Sequence, residues 1–171
     1  MQTLTHTSSV QSPAAKPTAA AGTVLVPAAR RPTGERIAQL LALIETQLSV
    51  VRRVVRSGEP VYRAGDTFDS LYVVHAGMFK TVNVSADGRE QVVGLHFKGD
   101  WLGFDGIADG CFGCDAIAMD TGEVWMIRYD ALLEGCSRTP TLMAAVHSAM
   151  SRELARDRDS MMAMCTLPAD A

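Results

Sequence analysis

Cys111 and Cys114 bracket Phe112 and Gly113 in the stretch Gly99–Asp115, GDWLGFDGIADGCFGCD. A CxxC pair of this kind can ligate a metal, run thiol–disulfide exchange, or do neither. A tetrahedral metal needs two more ligands. Cys136, Asp109, Asp115, His75 and His96 are the side chains available, and Cys165 stands too far along the C-terminal helix to serve well. A redox thiol needs a lowered pKa, and the neighbouring acids Asp109 and Asp115 push it the other way. Five glycines, at 99, 103, 106, 110 and 113, let this backbone turn sharply and approach another group closely. The stretch suits a ligand-contacting elbow, with Gly103, Phe104, Asp105, Cys111, Cys114 and Asp115 as candidate pocket residues. It equally suits a tight connection with a short helical turn.

The histidines offer less. His75 and His96 lie inside apolar runs of strand type and read as structural, whereas His147 falls on the long C-terminal helix. A metal-dependent β-barrel enzyme would need clustered ligands such as His-x-His with a following Glu. No such cluster is present, and no nucleophile–base pair stands out by spacing, so an enzyme is not expected.

The elements that must position the elbow follow from periodicity. Residues 1–33 mix Ala, Pro, Thr and Ser and read as a disordered arm. Thr33 is a candidate N-cap, and Ile37, Leu40, Leu41, Ile44 and Leu48 then recur at helical spacing. From Val50 the pattern changes to short runs rich in β-branched and aromatic residues: VRRVVR, EPVYRAGD, SLYVVHAG, FKTVNV, EQVVGLHF and EVWMIRYD. Turn signals separate them, with Asp87-Gly88 the strongest hairpin signal. This predicts an antiparallel sandwich, barrel or jelly roll. Ala131 to Glu134 reads as a short helix ended by Gly135. Thr139-Pro140 then opens a long helix reaching about Met164, near 37 Å at about 1.5 Å per residue.

Met143, Val146, His147, Met150, Leu154, Asp157 and Met161 step along one side of that helix. The stripe is narrow, like a coiled-coil seam, and predicts a two-fold helix–helix dimer. Ser148, Arg152, Arg156 and Asp159 fall on the opposite side. Asp157 is the odd member of the seam: in a parallel dimer it meets its twin near the axis and weakens association.

Bulk properties narrow the class. The chain has 171 residues and a formal net charge of −3, so it carries no overall basic bias for holding nucleic acid by itself. No apolar run approaches the roughly 20 residues that span a bilayer, and the N-terminus lacks a signal-peptide core. A cytoplasmic location with free thiols is expected, with no membrane partner.

In order, these elements resemble the sensory half of the Crp/Fnr family of bacterial transcription regulators. The resemblance rests on Gly58-Glu-Pro-Val-Tyr-Arg-Ala-Gly65-Asp66, on Leu71-Tyr-Val-Val-His-Ala-Gly77, and on Gly88 through Ile107, GREQVVGLHFKGDWLGFDGI. The last is similar to the fumarate–nitrate-reductase-regulator branch. The resemblance covers about residues 34–168. It implies a fold that is mainly β with flanking helices: a double-stranded β-helix (jelly roll) of cyclic-nucleotide-binding-domain type, followed by a long dimerisation helix. The implied domains are a β-roll with leading helix over 34–138, the dimerisation helix over 139–167, and over 168–171 the start of a linker to a DNA-binding domain that this sequence stops short of.

The departures from the family's pattern bear on the effector. Cyclic-nucleotide-binding members carry a Glu for the ribose and an Arg-Ser or Arg-Thr for the phosphate. Here the elbow reads Gly103-Phe104-Asp105, and Cys114-Asp115 stands at the Arg-Ser positions. An acid repels a phosphate, so cyclic AMP is not expected. Oxygen-sensing members use several N-terminal cysteines and one in the roll. The N-terminal arm has none, and Trp125 stands at the roll position, so an iron–sulfur cluster of the family type is not expected either. The expected function is an effector-sensing and dimerisation domain. The parent protein would bind DNA through a helix-turn-helix and act with RNA polymerase. The alternatives are a CxxC-based redox or metal sensor and a ligand-free structural dimerisation module.

Overall fold

The computed structural model describes residues 32–85 and 87–166, with side chains through residue 159. The expectations for the 1–33 arm, for Met161 and Cys165, and for 168–171 therefore fall almost wholly outside the described residues. Eight strands and four helices follow in the order α1 Gly34–Gln47, β1 Val51–Val55, β2 Pro60–Tyr62, β3 Ser70–Ala76, β4 Phe79–Val84, β5 Glu90–His96, β6 Trp101–Leu102, α2 Gly106–Asp109, β7 Asp115–Ala118, β8 Gly122–Arg128, α3 Tyr129–Arg138 and α4 Pro140–Thr166. The strands form two antiparallel four-stranded sheets, ordered β1-β8-β3-β6 and β2-β7-β4-β5. This is the expected mainly-β jelly roll with flanking helices and a long final helix.

Strand alternation sorts the side chains into two cores. On β3, Tyr72 and Val74 point between the sheets, where they join Val55, Val61, Tyr62, Phe79, Val82, Leu102, Phe112 and Val124. Leu71 and Val73 point the other way, with Trp101, Trp125 and Ile127. That outer face is covered by Leu41 and Ile44 of α1 and its C-cap Leu48, Leu132 and Cys136 of α3, and Leu142, Val146 and Ala149 of α4. The helices are thus held by the β-roll through one continuous apolar layer.

Several elements differ from the sequence reading. Thr33 sits at the N-cap of α1 in extended backbone but makes no side-chain capping bond. The two shortest elements of the elbow, β6 and β7, carried no periodicity because they hold only two and four residues. The α3 helix runs through Gly135 to Arg138 instead of ending there. A Cβ on Gly135 would stand 2.6 Å from Leu48 Cδ2 and 3.1 Å from Leu142 Cδ2. That glycine therefore serves close packing of α3 on its neighbours, and it is not a stop signal.

The long helix also divides differently. Val146 is buried in the chain's own core and does not belong to the outward stripe. Met143 and Leu154 are 41% and 65% exposed, His147 and Asp157 are exposed, and Met150 is half-buried. The outward residues are spaced 4-3-4-3 from Met143 to Asp157, which is heptad spacing. Arg156, on the side opposite the seam, is turned inward toward Asp100.

Candidate functional site

The elbow between β6 and β7 is built on Gly103. Its φ is +98°, a conformation that L side chains rarely adopt, and a Cβ there would lie 2.9 Å from the Phe112 ring. Gly103→Ala is expected to cost roughly 1–3 kcal/mol of stability from the strained φ and the ring clash. Urea unfolding checks this, and a loss below about 0.5 kcal/mol would refute it.

Beyond Gly103 the chain enters α2, and the pocket candidates separate. Phe104 leaves the elbow to stack on Trp101, ring centroids 5.7 Å apart. Asp105, though exposed, reaches across the elbow: its Oδ2 accepts from the Gly113 N–H at 2.8 Å and from the Cys114 thiol at 3.4 Å. Asp115 points away and accepts from the Ala64 N–H at 2.7 Å. Cys111 sits in an isolated backbone bridge to Thr67. The structure thus brings Asp105 and Cys114 together, while Phe104, Cys111 and Asp115 make their contacts elsewhere.

The roll interior behind the elbow is filled by aromatic rings. Tyr62 stacks on Phe112 with centroids 3.8 Å apart, Phe68 meets Phe112 edge-on at 5.5 Å, and Tyr72 lies 5.7 Å from Tyr62. The Tyr62 hydroxyl is buried beside the Cys114 thiol. Burial, then the neighbouring Cys114 and Asp105, hold its phenol well above its ordinary pKa.

Cys114 shares this acidic setting. Burial and then the Asp105 carboxylate push its thiol up to about 12. A thiol held protonated is a poor nucleophile and a poor metal ligand at neutral pH. We expect Cys114 to resist alkylation by iodoacetamide in the folded protein at about pH 8, while unfolded chain reacts freely. Mass mapping of the labelled peptide checks this. Equal labelling in both states would overturn it. Among the described residues no three His, Cys, Asp or Glu side chains converge as a metal site.

The residues do not fit the two groups the resemblance brings into question. At the Arg-Ser positions Cys114 and Asp115 supply no cation for a cyclic phosphate, and the Asp105 carboxylate 3.4 Å from the Cys114 thiol adds further negative charge there. For an iron–sulfur cluster, the roll position holds Trp125, 2% exposed and stacked on His75 at 4.7 Å.

A second polar group, which sequence reading missed, lies where β5 and the following turn meet α4. Arg156 Nη2 donates to Asp100 Oδ1 at 2.5 Å, and its Nη1 donates to Glu153 Oε2 at 3.1 Å. Asp100 is 7% exposed, and its other oxygen accepts from the Phe97 N–H at 3.0 Å. His96 is buried; its Nε2 shares a hydrogen bond with Thr81 Oγ1 at 3.2 Å and lies 3.9 Å from Glu153 Oε1. Only the i,i+3 spacing of Glu153 and Arg156 was visible beforehand. Their partners lie more than fifty residues earlier, and no local pattern connects them.

This roll, its elbow and its long outward-facing helix define a class. Residues 52–139 match the cyclic nucleotide-binding domain family, and the chain belongs to that family. The chain is also similar to a curated regulator: it is 31% identical over 111 residues, 65% of its length, to the fumarate and nitrate reduction regulatory protein of Escherichia coli K12. It spans 44% of that relative, so less than half of the curated proteins it matches. Two solved structures share the fold. The c-di-GMP-responsive global regulator CLP of Xanthomonas campestris has a TM-score of 0.66 at 22% identity, covering 77% of this chain and 66% of that one. The sensor domain of the transcriptional regulator DNR of Pseudomonas aeruginosa has 0.57 at 19%, covering 73% and 93%. Among the described residues no helix is long and apolar enough to cross a membrane.

Proposed function

We propose that this chain is the effector-sensing and dimerisation domain of a bacterial DNA-binding transcription regulator, with an effector other than cyclic AMP. One observation carries the reading. Helix α4 is docked on the β-roll by one face, through Leu142, Val146 and Ala149, and presents Met143, His147, Leu154 and Asp157 outward by another. A helix so placed can pass a change in the roll to a second copy of the chain. Two parallel copies would meet along that outward seam and set the spacing of two DNA-reading domains on a two-fold operator. DNA and RNA polymerase are then partners of the whole regulator, its location is cytoplasmic, and it is not an enzyme.

A second reading is favoured by the aromatic filling of the roll. With Tyr62, Phe112, Tyr72 and Phe68 packed together, the domain would serve as a ligand-free dimerisation module. The CxxC sensor reading loses support from the protonated state of Cys114.

Native mass spectrometry of protein purified without oxygen, with metal analysis and with cyclic AMP added in a separate arm, tests these readings. A dimer that ignores cyclic AMP and carries another bound mass supports the sensor. An empty dimer supports the structural module. A cyclic AMP adduct, or a strict monomer at all concentrations, overturns the proposal.

A further inference from the structure

The junction between the roll and α4 contains more ionisable groups than an apolar docking surface needs. From β5 comes His96, from the following turn Asp100, and from α4 Arg152, Glu153, Arg156 and Asp157; Asp105 of the elbow and the Tyr62 phenol of β2 stand behind them. Arg156 is bound most closely to Asp100, its 2.5 Å contact being shorter than the 3.1 Å one to Glu153. The cation and the buried carboxylate largely neutralise one another. Glu153 and His96 then remain as two ionisable groups 3.9 Å apart. His96 is 2% exposed, and its Nδ1 has no partner among the described residues. Burying an imidazolium there sets it near Arg156, and burying a second carboxylate sets it near Asp100 and Asp157. Neutral forms of both avoid each cost.

We propose that His96 and Glu153 form a one-proton site at the junction of the β-roll with α4. When the helix docks, the proton that mildly acidic water leaves on the imidazole is held on the carboxylate instead. Both groups are then uncharged, His96 fully buried and Glu153 partly so. The inference rests on the reading of α4 as the helix that carries the state of the roll.

The signs follow from linkage. Burial, only partly offset by Arg156, raises Glu153 to about 7. Its contribution is fully present below the ordinary carboxylate value and is gone once pH has risen past about 7. Burial, reinforced by Arg156, lowers His96 to about 4. Its contribution is present above the ordinary imidazole value and is lost as pH falls toward about 4. Over the interval between the two ordinary values, docked and undocked states hold the same number of protons. The two slopes cancel there, and docking is level. Only above that interval does Glu153 act unopposed, and docking then weakens modestly.

Hydrogen exchange of residues 142–159, corrected for intrinsic chemical exchange, reads docking over a pH series from about 5 to about 8. Wild type is expected to change protection by no more than about threefold. In Glu153→Gln only the histidine slope remains, and protection should rise at least about tenfold between about pH 5 and about pH 6.5. In His96→Gln only the carboxylate slope remains, and protection should fall by a similar factor. Variants that track wild type, or that share one sign, overturn the proposal. Carbon-13 titration of the wild-type Glu153 carboxyl and His96 ring gives a direct reading that needs no variant. A Glu153 titrating in the ordinary carboxylate range, or a His96 charged at about pH 6, also overturns it. Sedimentation over the same series separates the two levels of the argument. Opposite exchange slopes with a dimer constant that ignores them would leave the proton site standing and refute the signalling role of α4.

Discussion

Arg156→Met is expected to lower the unfolding free energy by about 2–3 kcal/mol, because it leaves Asp100 buried without its countercharge. Asp100 is almost inaccessible, and besides Arg156 its carboxylate is bonded only by the Phe97 N–H among the described residues. Breaking a buried pair from one side costs about 3–5 kcal/mol where both partners are dry. Arg156 is 26% exposed, so water recovers part of that cost and the lower figure applies. Asp100→Asn combined with Arg156→Met should be less damaging than Arg156→Met alone, since the uncompensated charge is then gone. Urea unfolding of the two single variants and the double variant completes the cycle. A loss under about 1 kcal/mol for Arg156→Met, or strict additivity in the double variant, would show that the contact carries no net energy.

Asp157→Ala is expected to tighten self-association at least about tenfold, which corresponds to roughly 1.4 kcal/mol. Asp157 is exposed and follows Met143, His147, Met150 and Leu154 in heptad register on the outward face of α4. In a parallel two-fold pairing each Asp157 meets its twin near the axis, where two carboxylates repel and lose water together. Salt offers a second measure. Wild-type association should strengthen as ionic strength rises and screens that repulsion, and the Asp157→Ala dimer should lose this response. Sedimentation equilibrium at low and high salt reads both. An unchanged constant would place Asp157 at the edge of the seam or outside it.

The sequence carried the roll better than the junction. Short β-branched runs and regular glycines predicted six of the eight strands, since period-two burial is written locally. The two missing strands hold only two and four residues, and both lie within or beside the elbow stretch. Gly135 misled because a glycine after an apolar helical turn signals a stop, whereas here it makes room for Leu48 and Leu142. Val146 and His147 are adjacent in sequence and one helical step apart in direction. Periodicity placed both on the seam, and only the packed structure assigns Val146 inward. At the elbow, Asp105 and Cys114 were legible as chemistry, but the bond from the Cys114 thiol to the Asp105 carboxylate, beside that from the Gly113 N–H, was not. The His96–Glu153–Arg156–Asp100 group was the least legible part. It joins segments that share no local pattern and exists only because α4 folds back across β5.

Both tryptophans of the chain, Trp101 and Trp125, lie in the layer that the helices cover, each 2% exposed and in the same core as Ile44, Leu142 and Val146. The interior between the sheets holds tyrosines and phenylalanines but no tryptophan. The indole emission of this protein therefore comes wholly from the seam between roll and helices. A lifting of α1 or α4 would shift it to the red while the sandwich stayed folded, and a change confined to the interior would leave it still. The molecule carries its own optical gauge of helix docking, usable without a label at the dilutions where association is measured.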